Sequence, residues 1–493
     1  MIQLPFVGPA YSLDALDISS QACRNMYVEV YNDGDTKVPK SLRSTPGLDL
    51  FATQSGGVYP VADDWKMRCL YTSSTNQMFG VCGSTVSIFT GAGVEAGKFS
   101  LTTGGIPSEQ GIVRAADSLS SDQTTTNVLF VDGSGTPYSY DTTLDSATAV
   151  TDAGYPTGAT HVANVDGFFI VNKPDTVQCV YSAINDPTSW NTTNTISKEG
   201  SSDHVTALIA SDRRLWVFGS QSYEVFRNTG NSNNQFLRIE GTYHDYGIQA
   251  PDSLAEDGEH VYWLGASASG FGKIYQSRGF DAMSISTVPL EREIQEYTTT
   301  SDAEGFCFQQ DGHKFYQLTF PSENKTWVFD ATTGMWHEKF YLNPTTSVEE
   351  RHRSRVSAFF NNNNYVGDWA NNKIYSLEQT TYTDNGDTIL RERIGPVIWN
   401  NLDRVYYNAI EFDLESGVGA ATGQGSNPLL QLRWSNDGGH TWSSWYYLDM
   451  GAIGQYATRV RRERLGQSRK RVFHIRYSEP TPFTVLSCEV DIG

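Results

Sequence analysis

Long helical periodicity is almost absent from this chain. Helices need Ala, Leu, Glu and Lys at 3.6-residue spacing, and the 493 residues offer one short candidate, around 290–295, which reads equally as a strand. An all-α or α/β architecture is therefore excluded. Cysteine is sparse: Cys23, Cys69, Cys82, Cys179, Cys307 and Cys488 are scattered singly and form no CxxC pair, unlike a disulfide framework or a zinc site. They are expected to be reduced core residues. No run approaches the roughly 18 apolar residues of a membrane helix, so no membrane insertion by this chain is expected. The opening Met1-Ile2-Gln3-Leu4-Pro5 has no basic region, so no signal peptide is expected either.

Sites that carry chemistry are equally scarce. The nine histidines stand alone, without HExxH, HxH or a His/Cys cluster, so neither metal nor cofactor is expected. The glycine-rich stretch from Gly91 to Phe99 fails as a phosphate loop: no Gly sits five positions before Gly97, and Phe99 replaces the required Ser or Thr. It reads as a loop. No Gly-x-Ser-x-Gly elbow occurs. None of the 56 acids is singled out by spacing as a hydrolytic pair, and no enzyme is expected. Basic charge is also short. Against those 56 Asp and Glu stand 36 Lys and Arg, a net charge of −20, which argues against a surface that grips nucleic-acid phosphates.

What the chain has is aromatic residues and turn formers: 26 Tyr, 24 Phe, 11 Trp and 44 Gly. Aromatic and β-branched side chains suit pleated surfaces, and Gly, Asn and Asp accept turn geometry. One pattern recurs. An apolar strand meets a polar turn, an aromatic strand follows, and a second turn leads to another. Val162–Val165 turns at Asp166-Gly167 into Phe168; Thr206 to Ile209 turns at Asp212 into Leu215; Ser253 to Ala255 turns at Asp257-Gly258 into Val261; Phe306 to Phe308 turns at Asp311-Gly312 into Phe315; and Val356 to Phe360 turns at 361–364 into Tyr365. Two weaker copies precede these, with turns near Thr75 and Gln123. The spacing of 43–54 residues matches a propeller blade. One small sheet cannot bury both faces, whereas radial stacking covers each blade on both sides. A β-sandwich or β-solenoid shares this hairpin grammar and is the competing reading.

The expected fold is all-β: a β-propeller of six or seven blades (57–380), a C-terminal β-sandwich-like domain (381–493) and an extended N-terminal segment (1–56) packing with the C-terminal domain. The C-terminal strands are longer and further apart, over 404–414, 429–434, 444–448, 457–464, 472–477 and 484–491.

Two features stand out there. Ser435, Asp437, Gly439, Thr441 and Trp442 match the Asp-box pattern S-x-D-x-G-x-T-W. Its Asp is expected to bond the backbone of its own turn, with the Trp packed on the hairpin base. It occurs once and outside the repeats, so it reads as a structural turn. Arg459, Arg461, Arg462, Arg464, Arg469, Lys470 and Arg471 form a basic cluster in an acidic chain. Either it is a solvated strand pair, or it is a docking edge for an acidic partner or neighbouring subunit. Direct DNA contact is a lesser alternative.

The two ends also carry a resemblance. Arg24-Asn25-Met26-Tyr27-Val28-Glu29, followed by Leu42-Arg43-Ser44-Thr45-Pro46-Gly47-Leu48, resembles the opening of the packaged-DNA stabilisation proteins of short-tailed bacteriophages. Glu415 to Gly419, Pro428 to Leu432, the Asp-box, and Arg459-Val460 with Arg464-Leu465-Gly466 follow in the order of that family. The resemblance implies a non-enzymatic virion structural protein of the tail, assembled in the host bacterial cytoplasm. It implies a hexameric ring, the hub or nozzle, below the portal–adaptor ring. Such a ring closes the DNA channel after packaging, serves for ejection, and carries tail fibres or tailspikes and the plug or needle. Genomic DNA would pass without sequence-specific binding, and acidic residues would predominate on the lumen. The alternative is a carbohydrate-binding or sialidase-like propeller acting as a receptor-binding tail component.

Overall fold

The computed structural model describes residues 2–13, 16, 19–31, 39–54, 66–100, 111–119, 126–144, 146–267, 270–401 and 403–493. Six blades are drawn from continuous stretches, 67–100, 114–149, 162–197, 205–238, 247–284 and 304–342, numbered blades 1 to 6. A seventh is composite. Ser354–Phe360, Asn363–Asp368 and Lys373–Glu378 supply three strands, and Gly47–Thr53 from the N-terminal segment supplies the fourth. This strand closes the ring, because it ties the start of the chain to its last blade.

Local chemistry explains the hairpins. Four of the first turns hold two residues at positive φ: Asp166 and Gly167, Asp212 and Arg213, Asp311 and Gly312, Asn361 and Asn362. That geometry matches the right-handed twist of the flanking strands, and Asp, Asn and Gly adopt it most readily. Between blades the alternate residues of facing sheets form seven apolar seams. Aromatic pairs recur in them, such as Tyr155 on Trp190 between blades 2 and 3 at 5.1 Å, Phe218 on Trp263 between blades 4 and 5 at 5.1 Å, and Tyr262 on Tyr316 between blades 5 and 6 at 5.0 Å. The helical candidate is a helix, Val288–Glu296, entered through Pro289 and burying Leu290 and Ile294. The stretch expected as a loop is not wholly one: Glu95–Ser100 pairs with Thr85–Phe89 as the outer strand of blade 1. The turn expected near Gln123 lies outside the described residues.

The second body is a sandwich. One sheet runs Val460–Glu463, Val405–Leu414, Thr484–Ile492, Lys40–Ser44, Met26–Val30, with Ile2–Leu4 also on Thr484–Ile492. The other runs Cys23–Arg24, Arg391–Ile394, Lys470–Tyr477, Leu429–Ser435, Tyr446–Asp449. Phe6, Cys23, Met26, Val28 and Leu42 share its core with Leu430, Leu432, Phe473, Ile475 and Val490. The N-terminal segment thus supplies strands to both bodies. One parallel pair, Arg24 opposite Glu338, joins the second sheet to the outer strand of blade 6.

Candidate functional site: the interdomain junction and the arginine–tryptophan face

The residues of the N-terminal motif build the joint. Arg24 lies 3.9 Å over the Phe340 ring and meets Glu338 at 3.0 Å, Glu349 at 2.5 Å and Glu392 at 2.7 Å. Glu392 also takes Arg476 at 2.5 Å. Burial alone would raise the Glu392 carboxyl, but His474, Arg24 and Arg476 hold it well below the usual carboxylate range. Asn25 adopts φ 52°, where Asn is tolerated because its side chain bonds locally. Its amide donates to the carbonyls of Phe340 (3.0 Å) and Leu390 (2.9 Å) and accepts from Phe340 N–H (3.0 Å). Asn25 therefore stitches blade 6 to the start of the sandwich. Tyr27 packs edge-on against Phe315 and His313. At the Pro46-Gly47 turn, a Cβ on Gly47 would overlap the carbonyl oxygens of Thr381 and Thr383, so the close approach requires glycine.

Arg393 is the second anchor. It is fully buried and donates to the carbonyls of Phe6 (2.7 Å), Pro9 (2.8 Å) and Ala22 (3.1 Å) and to Gln21 Oε1 (2.8 Å). Burial lowers its guanidinium to about 10, which leaves it charged at neutral pH. It ties the first twenty-odd residues to the sandwich.

One ion pair in the propeller links blades that are not neighbours. Arg114 of blade 2 pairs with Asp252 at 2.5 Å, in the short Pro251–Ser253 turn within blade 5. Tyr316 of blade 6 donates to the carbonyl of Ser253 at 2.7 Å. At the end where the first turns lie, a cavity of about 590 Å³ opens, lined by Glu256, Asp257, Asp311, Lys314 and the exposed Phe359. Among the described residues, no three His, Cys, Asp or Glu are placed to hold a metal ion.

The Asp-box forms a closed turn. Ser435 Oγ donates to Asp437 Oδ1 (2.6 Å) and accepts from Gly439 N–H (2.8 Å), while Thr441 gives Asp437 both its N–H (2.8 Å) and its hydroxyl (2.5 Å). Burial would raise the Asp437 carboxyl, and these donors outweigh it and hold the group low. Trp442 packs on the hairpin over Arg433 of its first strand and edge-on to His474. It lies against the outer face of the second sheet, where Arg433 sits between two indoles, 4.7 Å from Trp442 and 4.3 Å from Trp445. Arg476 continues the stack 4.8 Å from Trp445. His474 lies beneath, its Nδ1 accepting from Arg433 Nε at 3.0 Å. Sequence reasoning missed this ladder, because its members meet only once the turn folds; the Trp442-x-x-Trp445 spacing beside Arg433 was the available signal.

The basic cluster divides. Arg471 is buried, bonded to Asn436 Oδ1 and the Leu465 carbonyl and lying 4.2 Å from Tyr407. It is an internal brace and not an exposed docking residue, because its strand faces inward at that position. Arg459 forms a two-pronged pair with Glu411 (2.7 Å each), Arg461 meets Glu411 and Glu463, and Arg462 lies 4.3 Å over Tyr446. Arg464 and Arg469 are exposed, and Lys470 is half-buried.

No curated protein matches the sequence. Solved structures align at low similarity. The extracellular domain of the BT4673 hybrid two component system from B. thetaiotaomicron aligns at 11% identity and TM-score 0.43 over 78% of this chain, which spans 45% of that one. The Pan2 WD40 domain of Neurospora crassa aligns at 8% identity and TM-score 0.43 over 68% of this chain and 96% of its own. Family comparison is more specific. Residues 2–382 match the β-propeller of bacteriophage P22 Gp10, and residues 391–493 match its β-sandwich. With both parts present in order over almost all its length, this chain belongs to the bacteriophage P22 Gp10 family.

Proposed function

We propose that this protein is a ring-forming hub, or nozzle, of a short phage tail. The family is one of phage structural proteins and not of enzymes. In the proposed reading, copies form a closed hexameric ring below the portal–adaptor complex in the virion tail, after assembly in the host cytoplasm. The ring closes the DNA channel after packaging, releases DNA on ejection, and carries tail fibres or spikes and a plug or needle.

The observation that carries this reading is the paired family match, together with the finding that the shared N-terminal motif builds the joint between the two matched bodies. Charge supports it. A channel that passes DNA must not hold it, and each phosphate neutralised by Lys or Arg adds affinity through counterion release; a net charge of −20 suits free passage. The link between non-neighbouring blades made by Arg114 and Asp252 supports a channel between copies and not along a propeller axis.

Negative-stain imaging of the purified protein, alone and mixed with its adaptor ring, tests the proposal. Ring particles with an open centre are expected. A protein that stays monomeric and ignores the adaptor would refute the hub role and turn attention to glycan binding.

A further inference from the structure

The stretch that supplies most of the sandwich and the stretch that holds the propeller differ sharply in charge. Residues 391–493 hold twelve of the 36 Lys and Arg and eleven of the 56 Asp and Glu, a net of +1, so the first 390 residues carry −21. A basic, aromatic face stands on the less negative body. On the outer side of the second sandwich sheet, Leu429, Gln431 and Arg433 point away from the core, since Leu430 and Leu432 fill it. Tyr447 stands opposite Gln431 in register, and Gln431 stands opposite Arg476. Tyr447 is 63% exposed and Leu429 37%.

Arg433 is the centre of this face. Two indoles fix its guanidinium, and its Nε is used by His474. Among the described residues no carboxylate lies within ion-pair distance of it, although Glu392 neutralises its neighbour Arg476. A guanidinium held between aromatic rings loses little further freedom on binding and presents its remaining N–H groups in a fixed fork suited to carboxylate. Arg, Trp and Tyr together are also the residue types that dominate interface energetics.

We propose that this face, centred on Arg433 with Trp442, Trp445, Tyr447 and Leu429, docks on the acidic propeller of a second copy of this chain. Charge complementarity selects that occupant: the same molecule bears the deficit of basic charge that the face supplies. A contact between two unlike surfaces of identical copies is head-to-tail, and such contacts close into rings when the rotation allows. The Asp-box acquires a role in this arrangement, since its turn sets Trp442 against Arg433.

The inference rests on the ring reading above, and the test separates the two. A photo-reactive phenylalanine analogue placed at Tyr447 should cross-link, in assembled rings, to peptides from the propeller of another copy. Tyr447→Asp, at an exposed position that leaves the fold intact, should reduce ring yield on the adaptor at least tenfold by particle counting, and Arg433→Glu should do the same. Cross-links to the adaptor alone, to a glycan-binding partner or to nothing, or rings formed normally by Tyr447→Asp, would overturn this inference while leaving the hub role standing. A wild-type protein that forms no ring at all would remove both.

Discussion

The propeller and the sandwich are closed by different means. The propeller relies on repetition: seven apolar seams, each fed by two neighbouring sheets, carry its packing. The sandwich relies on a few buried arginines. Arg391 and Arg393 reach backbone carbonyls from distant parts of the chain, Arg471 braces the Leu465 carbonyl and Asn436, and Arg24 and Arg476 converge on Glu392. Repeated seams spread the cost of any one defect, whereas an arginine hub concentrates it. A body assembled from both ends of a chain needs such hubs, because few of its strands are linked by short hairpins.

The largest effect should come from Arg393→Met. It strands three acceptors, the carbonyls of Phe6 and Pro9 and Gln21 Oε1, while the Ala22 carbonyl keeps the Ile394 N–H; at about 1–3 kcal/mol each, a loss of more than about 3 kcal/mol is expected. Calorimetry should show the sandwich melting apart from the propeller; a single shifted transition would break the contrast drawn here. Trp263→Ala, in the seam between blades 4 and 5, should cost about 3–5 kcal/mol, with protection from hydrogen exchange lost in those two blades and retained in blades 1 and 2. Asn25→Ala should cost about 2–3 kcal/mol, and limited proteolysis should then cut near the joint.

Buried histidines make the propeller half sensitive to acid. Burial, aided by the Lys339 charge, lowers His337 to about 3, and burial lowers His161 and His352 as well. All three lie in the propeller half. Unfolded histidine takes up a proton near pH 6.5 while folded His337 stays neutral, so the unfolded state binds more protons in the window between. The contribution is complete above about pH 6.5 and is lost as pH falls toward 3, at about 1.4 kcal/mol per pH unit for this group. Denaturant titrations should show that slope, and His337→Phe should flatten it. The smallest effect is expected from Asp437→Ala: the Asp-box turn loosens, and near-ultraviolet circular dichroism from Trp442 and Trp445 changes with little loss of stability.

Much of the propeller was legible because its hairpins are local. Asp166-Gly167, Asp311-Gly312 and the asparagines at 361–364 announce their turns, and the strands beside them follow within a few residues. Pairings made across the whole chain were not legible. Nothing in Gly47–Thr53 says that it completes a blade three hundred residues later, and 26–30 with 40–44 reads as a plain strand and turn until the sandwich is seen. The Glu95–Ser100 strand was hidden by Gly97 and the glycines just before it. The basic cluster was visible as composition, but strand alternation turned Arg471 inward while its neighbours stayed near the surface. Arg433 between its indoles was invisible for the same reason that the joint was: both depend on contacts that no local pattern encodes.

The most direct test of the central claim is the mass and shape of the particle that the protein forms with its adaptor ring, by light scattering and electron microscopy. A closed hexameric ring with an open centre is expected, its sandwich bodies in contact with neighbouring propellers. A monomer that never associates, or a ring whose open passage runs through each propeller, would contradict that claim.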